Sequence, residues 1–157
     1  MSDNIQEFNY CAGVILAKLY ESFPIRITLS AYKLCGLNDH EPYFNELGLH
    51  DGSYIGRDGT STRPDPSEMK LYQDTIRWLD EFGFITGHVQ PWGIELATLT
   101  PQGLHMLTTK HADIGEGDKP ENFGRSIIRA MLSEAKAQLA EFAGQALASY
   151  TKEMIRQ

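Results

Sequence analysis

The stretch that most constrains the fold is residues 67–107, where a helical pattern, two short strand patterns and another helical pattern follow one another. Between Leu71 and Phe82, apolar residues recur at three- and four-residue steps, as on the buried face of an amphipathic helix. Gly83 is placed to end this helix, because glycine readily takes the left-handed conformation that closes helices. The stretch therefore predicts an amphipathic helix that runs directly into β-structure.

A β-hairpin and a shorter helix account for the rest of this stretch. Two bounded apolar runs flank turn residues at 91–93, which is the pattern of a short hairpin. Thr100 suits the N-cap and Pro101 the first position of the helix that follows. Upstream, residues 25–29 alternate at period two and predict a strand that pairs with the hairpin.

The first helix, over residues 5–21, carries an unusually wide apolar stripe. Tyr10, Cys11 and Val14 flank that stripe, so we expect this helix to be covered on more than one side. A brief second helix follows the strand at residues 31–35. The predicted core consists of Phe8, Ile15, Leu19, Ile27, Leu34, Ile76, Leu79, Phe82, Ile85, Leu99, Leu104 and Leu107.

The order helix, hairpin, short helix, with WLDEFGFI running into the hairpin and LTPQGLHML leaving it, resembles the winged-helix (winged helix-turn-helix) superfamily, especially small bacterial winged-helix proteins. The resemblance extends over about residues 8–107 and lies in the pattern of elements. It implies that the helix before the hairpin enters the major groove of DNA and that the hairpin, or wing, touches the DNA backbone. The predicted fold class is mainly α with a small three-stranded sheet (α+β), a winged-helix domain at 1–109 followed by a long C-terminal helix.

Residues 38–66 interrupt this pattern and predict a loop insertion, because glycine, proline and aspartate recur throughout them. Asp58 and Gly59 suggest a tight turn there. Both an idle surface loop and a binding loop fit such a segment. One helical turn that packs as a lid is predicted for Tyr43, Phe44, Leu47 and Leu49.

The C-terminal part is predicted to be a linker at 110–122 and an amphipathic oligomerisation helix at 123–157. Its apolar residues step by four and three, which is a heptad seam. Three partners remain open for it: the first helix of the same chain, another subunit, or a membrane surface. We expect a homo-oligomer through the seam, which comprises Ile128, Leu132, Ala135, Leu139, Phe142 and Ala146.

Composition excludes several classes of function. The chain has 157 residues and two cysteines without CxxC spacing, and its five histidines take no metal-binding spacing, so no metal and no cofactor is expected. Nucleophile-elbow, P-loop and dinucleotide-binding motifs are missing from the sequence, so an enzyme is not expected. The sequence shows neither a membrane-spanning apolar run nor a secretion signal, which predicts a cytoplasmic protein without membrane contact.

Charge bears on the choice of partner. The net charge of the chain is −7. Residues 123–157 carry five basic and three acidic side chains, a net charge of +2, so residues 1–122 have a net charge of −9. The predicted recognition helix is itself −2, and the wing has no lysine or arginine. Such a body repels phosphate at long range. The residues predicted to contact DNA are Lys70, Gln73, Arg77 and His88.

Two functions of different class follow, and the superfamily resemblance favours the first over the second. The first is a winged-helix DNA-binding transcription regulator that binds duplex DNA and assembles through its C-terminal helix. The second is an acidic winged-helix protein-interaction or adaptor module without DNA affinity. In the second, Trp92 on the wing is the predicted anchor for a protein partner.

Overall fold

The computed structural model describes residues 3–110 and 121–156, with side chains up to residue 152. The fold class prediction is confirmed: the chain is α+β, 53% helical and 24% strand, with six helices and two three-stranded antiparallel sheets among the described residues. The elements in chain order are α1 (Asn4–Ser22), β1 (Ile27–Ser30), α2 (Ala31–Leu34), β2 (His40–Phe44), β3 (His50–Gly56), β4 (Ser61–Thr62), α3 (Pro66–Glu81), β5 (Ile85–Gln90), β6 (Gly93–Leu99), α4 (Pro101–Thr108), α5 (Phe123–Leu132) and α6 (Lys136–Arg156).

The first sheet joins the predicted upstream strand to the predicted hairpin. Its strand order is β1-β6-β5, so β6 is the central strand. Ile27 on β1 lies opposite Ala97, and Ile85 on β5 lies opposite Leu99. The apolar residues that alternate along these strands pack against α1 and α3. The prediction that β1 pairs with the hairpin is confirmed.

Local signals set both ends of α3, and the Gly83 end is the one that the sequence predicted. Asp65 caps its start, with its carboxylate accepting a hydrogen bond from the Ser67 backbone N–H at 3.0 Å. Gly83 follows the last turn in the left-handed conformation, with φ at 83°. The Phe84 backbone N–H then reaches back to the Leu79 carbonyl at 2.9 Å, which completes a Schellman motif. α3 is thereby fixed directly against β5.

The insertion is a second sheet, so the prediction of a loop is wrong. Its strand order is β2-β3-β4, and it stands between α2 and α3. Tyr32 on α2 stacks on Tyr54 of β3, with ring centroids 4.5 Å apart. The Asp58–Gly59 turn is confirmed, with the Asp58 carboxylate accepting from the Thr60 N–H. The predicted helical turn is replaced by exposed residues in and around the β2–β3 connection, Tyr43, Phe44, Leu47 and Leu49.

The C-terminal segment forms two helices where one was predicted. α5 ends at Leu132 with Ser133 as its C-cap, and Glu134 takes a positive φ of 58°. The Ala135 N–H bonds to the Ala130 carbonyl at 2.9 Å, so a Schellman motif closes α5 without the usual glycine. The predicted linker at 110–122 lies mostly outside the described residues.

Helix α6 crosses α1 and completes the core. Gly13 lies at the crossing, where an added Cβ would stand 3.0 Å from Leu139 and 3.2 Å from Ala143. Glycine therefore allows the two helices to approach closely. Every residue from 11 to 17 of α1 is buried, which confirms that this helix is covered on more than one side.

This packing corrects the predicted oligomerisation seam. Leu139, Phe142 and Ala146 are buried inside the chain, because the face that carries them packs on α1. Ile128 and Ala135 are half-buried and Leu132 is exposed. The six seam residues therefore do not form one surface that is free for another subunit.

The predicted core is largely confirmed. Phe82 is the exception, since 57% of it is exposed. Phe82 is the last residue before Gly83, where the chain leaves the helical path. Its ring packs on the Trp78 ring instead, with the ring centroids 4.7 Å apart. The predicted residues that are fully buried are Ile15, Leu19, Ile76, Leu79, Ile85, Leu99 and Leu107.

Candidate interaction surface

Helix α3 divides into a buried face and a face open to solvent. Tyr72, Ile76 and Leu79 are buried against the neighbouring elements. The opposite side carries the α3 stripe, which we define as Lys70, Gln73, Asp74 and Arg77. Steps of three, four and seven residues bring these four side chains onto one face of a helix. The structure thus brings together three of the four residues predicted to contact DNA.

The centre of the α3 stripe is a carboxylate. The Lys70 ammonium lies 3.1 Å from Asp74 Oδ2, and the Arg77 guanidinium lies 3.8 Å from Asp74 Oδ1. All three side chains are about half exposed or more, so each pair is worth at most about 1 kcal/mol. Asp74 nevertheless places a negative charge between the two cations. A ligand that touches both cations must also approach this carboxylate.

The wing, formed by β5 and β6, presents polar and aromatic groups without a cation. His88 is exposed on β5, and its register partner on β6 is Glu95. Trp92 lies at the turn and is 39% exposed. The Trp92 backbone carbonyl accepts a hydrogen bond from the Ala31 N–H at 2.8 Å, which ties the turn to α2. The wing is therefore a fixed rather than a free hairpin, with an indole ring at its tip.

A further cation beside the wing was missed by the sequence reasoning. Arg26 precedes β1, and its guanidinium donates to the Leu96 carbonyl of β6 at 2.9 Å. Leu96 has a positive φ of 50° and is itself exposed. The available signal was period-two alternation, since Arg26 stands between Ile25 and Ile27 and so projects from the other face of the strand.

The inserted sheet brings acidic and apolar groups next to the start of α3. Residues 38–66 hold six carboxylates and two arginines, a net −4. The two arginines are paired, Arg57 with Asp39 at 3.8 Å and Arg63 with Asp51 at 3.2 Å. Exposed apolar side chains lie between β2 and β3, with Leu47 82% exposed. This sheet adds negative potential on the side of the molecule where α3 begins.

Burial makes the two thiols poor nucleophiles. Desolvation raises the pKa of Cys11 from 9.0 to about 12, and the nearby Glu68 carboxylate adds to the effect. The same causes raise the pKa of Cys35 to about 12. Within the described ranges, His, Cys, Asp and Glu side chains form no group of three that could hold a metal ion.

The length and apolar character of a helix decide whether it can span a membrane. None of the described helices combines the length and the apolar character needed to cross a bilayer.

No protein-family model matches the chain, and comparisons with curated proteins and with solved structures give no significant match. The chemistry of the α3 stripe, the wing and the inserted sheet is therefore the basis for assigning a function.

Proposed function

We propose that the chain is a winged-helix protein without catalytic activity, and that its α3 stripe and wing bind another protein rather than duplex DNA. Two features support the winged-helix part. Helix α3 leads directly into the β5–β6 hairpin, and β1 completes the sheet of that hairpin. The solvent face of α3 is open, as an interaction helix requires.

The observation that carries the choice of partner is the position of Asp74. A helix that reads DNA follows closely spaced phosphates, and each contact gains affinity by releasing counterions. Here the carboxylate lies within 3.1 Å of Lys70 and 3.8 Å of Arg77, so the stripe offers a phosphate only a net single positive charge. A protein surface can satisfy both signs at once, because it carries carboxylates, cations and amides.

Charge around the stripe supports the same choice. α3 has four acidic and two basic residues, the wing contributes Glu95 and no cation, and the insertion is −4. The repulsion from these elements acts on duplex DNA before any contact forms. Trp92 has a partly exposed indole at the turn of the wing. Tryptophan is among the residue types most enriched at the centre of protein interfaces.

Titration of a labelled random-sequence duplex, followed by fluorescence anisotropy at about 50 mM salt, tests the proposal. We expect no saturable binding by the wild-type chain up to about 100 µM, the weak end of ordinary non-specific DNA affinity. Asp74→Lys is the positive control, because it turns the stripe into three cations in a row and should create salt-sensitive binding. Saturable binding of the wild type with a dissociation constant of a few µM would overturn the proposal.

The second candidate is the DNA-binding regulator. It is favoured by the exposure of Lys70 and Arg77, whose weak ion pairs with Asp74 a phosphate can replace. If the wild type does bind the duplex, Arg77→Ala should weaken it at every sequence and reduce the salt slope by about one unit. An unchanged slope would remove α3 from the DNA contact.

A further inference from the structure

A cleft of about 400 Å³ lies between the C-terminal part of α1, β1, α2 and α5. This volume is in the range of clefts that hold small molecules. Leu29 in the cleft is buried and the other apolar side chains are half-buried, so the cleft offers an apolar wall to a ligand. The apolar side chains that line it are Ile27, Leu29, Leu34 and Met131.

Two lysines from different helices line the same cleft. Lys18 of α1 is half-buried, and Lys33 of α2 is exposed. Neither forms an ion pair with a described residue, although the Lys33 ammonium lies 5.9 Å from the centroid of the Tyr32 ring. Among the described residues that line the cleft, Glu21 carries the only carboxylate. The lining therefore has a net charge of +1 in a chain whose net charge is −7, which favours an anionic ligand.

Two polar side chains in the cleft have unused hydrogen-bonding capacity. Ser30 is only 8% exposed, and its hydroxyl does not cap α2 although the residue stands at the N-cap position. Neither this hydroxyl nor the exposed side-chain amide of Asn38 forms a hydrogen bond with a described residue. Buried hydroxyl groups usually have a partner. A ligand with oxygen acceptors can supply one.

We infer that this cleft binds a small organic acid, with a carboxylate at one end and an apolar chain at the other. The ammonium groups of Lys18 and Lys33 and the hydroxyl of Ser30 provide donors for the carboxylate. The apolar wall covers the chain of the ligand. The inference is independent of the proposed function, since the lining residues belong to neither the α3 stripe nor the wing.

The two kinds of lining separate an organic acid from simpler ligands. An inorganic anion would use the two lysines but leave the apolar wall in water. A neutral apolar molecule would cover the wall but leave both ammonium groups without a counter-charge. A ligand that combines a carboxylate with an apolar chain uses both parts of the lining.

Chemical-shift titration of the full chain, labelled with nitrogen-15 and kept at about 50 mM salt, tests the inference with three probes. Hexanoate has both the charge and the chain, acetate has only the charge, and hexan-1-ol has only the chain. Hexanoate should cause saturable shifts at residues 18–22 and 27–34, with a dissociation constant of about 1 mM. It should bind at least about tenfold more tightly than acetate, because its longer chain removes more apolar surface from water. It should bind at least about threefold more tightly than hexan-1-ol, which cannot pair with an ammonium group.

Variants of the lining test the part of each polar group. Lys18→Met and Lys33→Met should each raise the dissociation constant for hexanoate at least about threefold. Lys70→Met is the matched control, because it removes a lysine on α3, outside the cleft, and should leave binding unchanged. Ser30→Ala should raise the constant about threefold, since one hydrogen bond is lost. Glu21→Gln should lower it, because the carboxylate of Glu21 repels the ligand.

Three results would overturn the inference. The first is a wild-type chain without saturable shifts up to about 20 mM hexanoate, a concentration well above the expected dissociation constant. The second is a probe series in which acetate or hexan-1-ol binds as tightly as hexanoate. The third is a Lys18→Met chain and a Lys33→Met chain that both bind hexanoate as tightly as the Lys70→Met control.

Discussion

Asp74 is the residue that most limits what α3 can bind. Its carboxylate pairs with Lys70 and with Arg77, four residues before it and three residues after it. Those spacings are visible in the sequence, and they predict ion pairs on a helix surface. Counting charge over the whole helix gave −2 and missed this arrangement, because a sum does not record which side chains share a face. Face-by-face reading would have found it.

The cysteines give a residue-scale prediction that depends on burial alone. With a pKa of about 12, each thiol is roughly one part in ten thousand thiolate at pH 8, so iodoacetamide should label the native chain very slowly. Labelling should become fast in urea, where the pKa returns toward 9.0. Rapid labelling of Cys11 in the native chain would show that α1 is not covered.

The same shift fixes the sign of a pH effect on stability. A pKa raised in the folded state means that the folded chain holds the proton more tightly than the unfolded chain does. The contribution is complete below pH 9 and falls as the pH rises from about 9 toward 12. The urea midpoint should therefore drop between pH 8 and pH 10, and Cys11→Ala should reduce that drop.

At the scale of elements, the sequence predicts the ends of α3 and α4 correctly, whereas its predictions for the insertion and for the C-terminal segment are wrong. The ends of α3 and α4 follow from Gly83 and Thr100, whose capping chemistry is local. The sequence predicts a loop where the inserted sheet lies, because the strands of that sheet are two to seven residues long and lie between closely spaced turn residues. The break between α5 and α6 has no such signal, since Glu134 rather than glycine takes the left-handed conformation.

Helix α6 gives the prediction at this scale. Leu139 is 2% exposed and packs at Gly13, so Leu139→Glu would bury a carboxylate among apolar side chains. The variant should lower the melting temperature of the whole chain, as measured by circular dichroism. Leu132→Glu is the matched control and should not change it. A Leu139→Glu protein that melts like the wild type would show that α6 does not pack on α1.

At the scale of the whole molecule, the C-terminal helices belong to the body that carries the candidate interaction surface. The sequence indicates this indirectly, through the width of the apolar stripe on α1, whereas the heptad steps of the C-terminal segment favour contact with another subunit. Periodicity shows which face of a helix is apolar, but it does not show which surface covers that face. That depends on where the chain runs in three dimensions. Packing α6 on α1 leaves α3 and the wing as the open side.

Hydrogen exchange followed by mass spectrometry measures this arrangement directly, because amides of one cooperative unit share the free energy of its opening. Peptides covering residues 11–19 of α1 and 139–147 of α6 should exchange equally slowly and lose protection together as urea is added. Most of the stability of a protein helix comes from tertiary packing, so an α6 that stood alone in water would exchange quickly. Fast exchange across residues 139–147, with α1 still protected, would contradict the packing of α6 on α1.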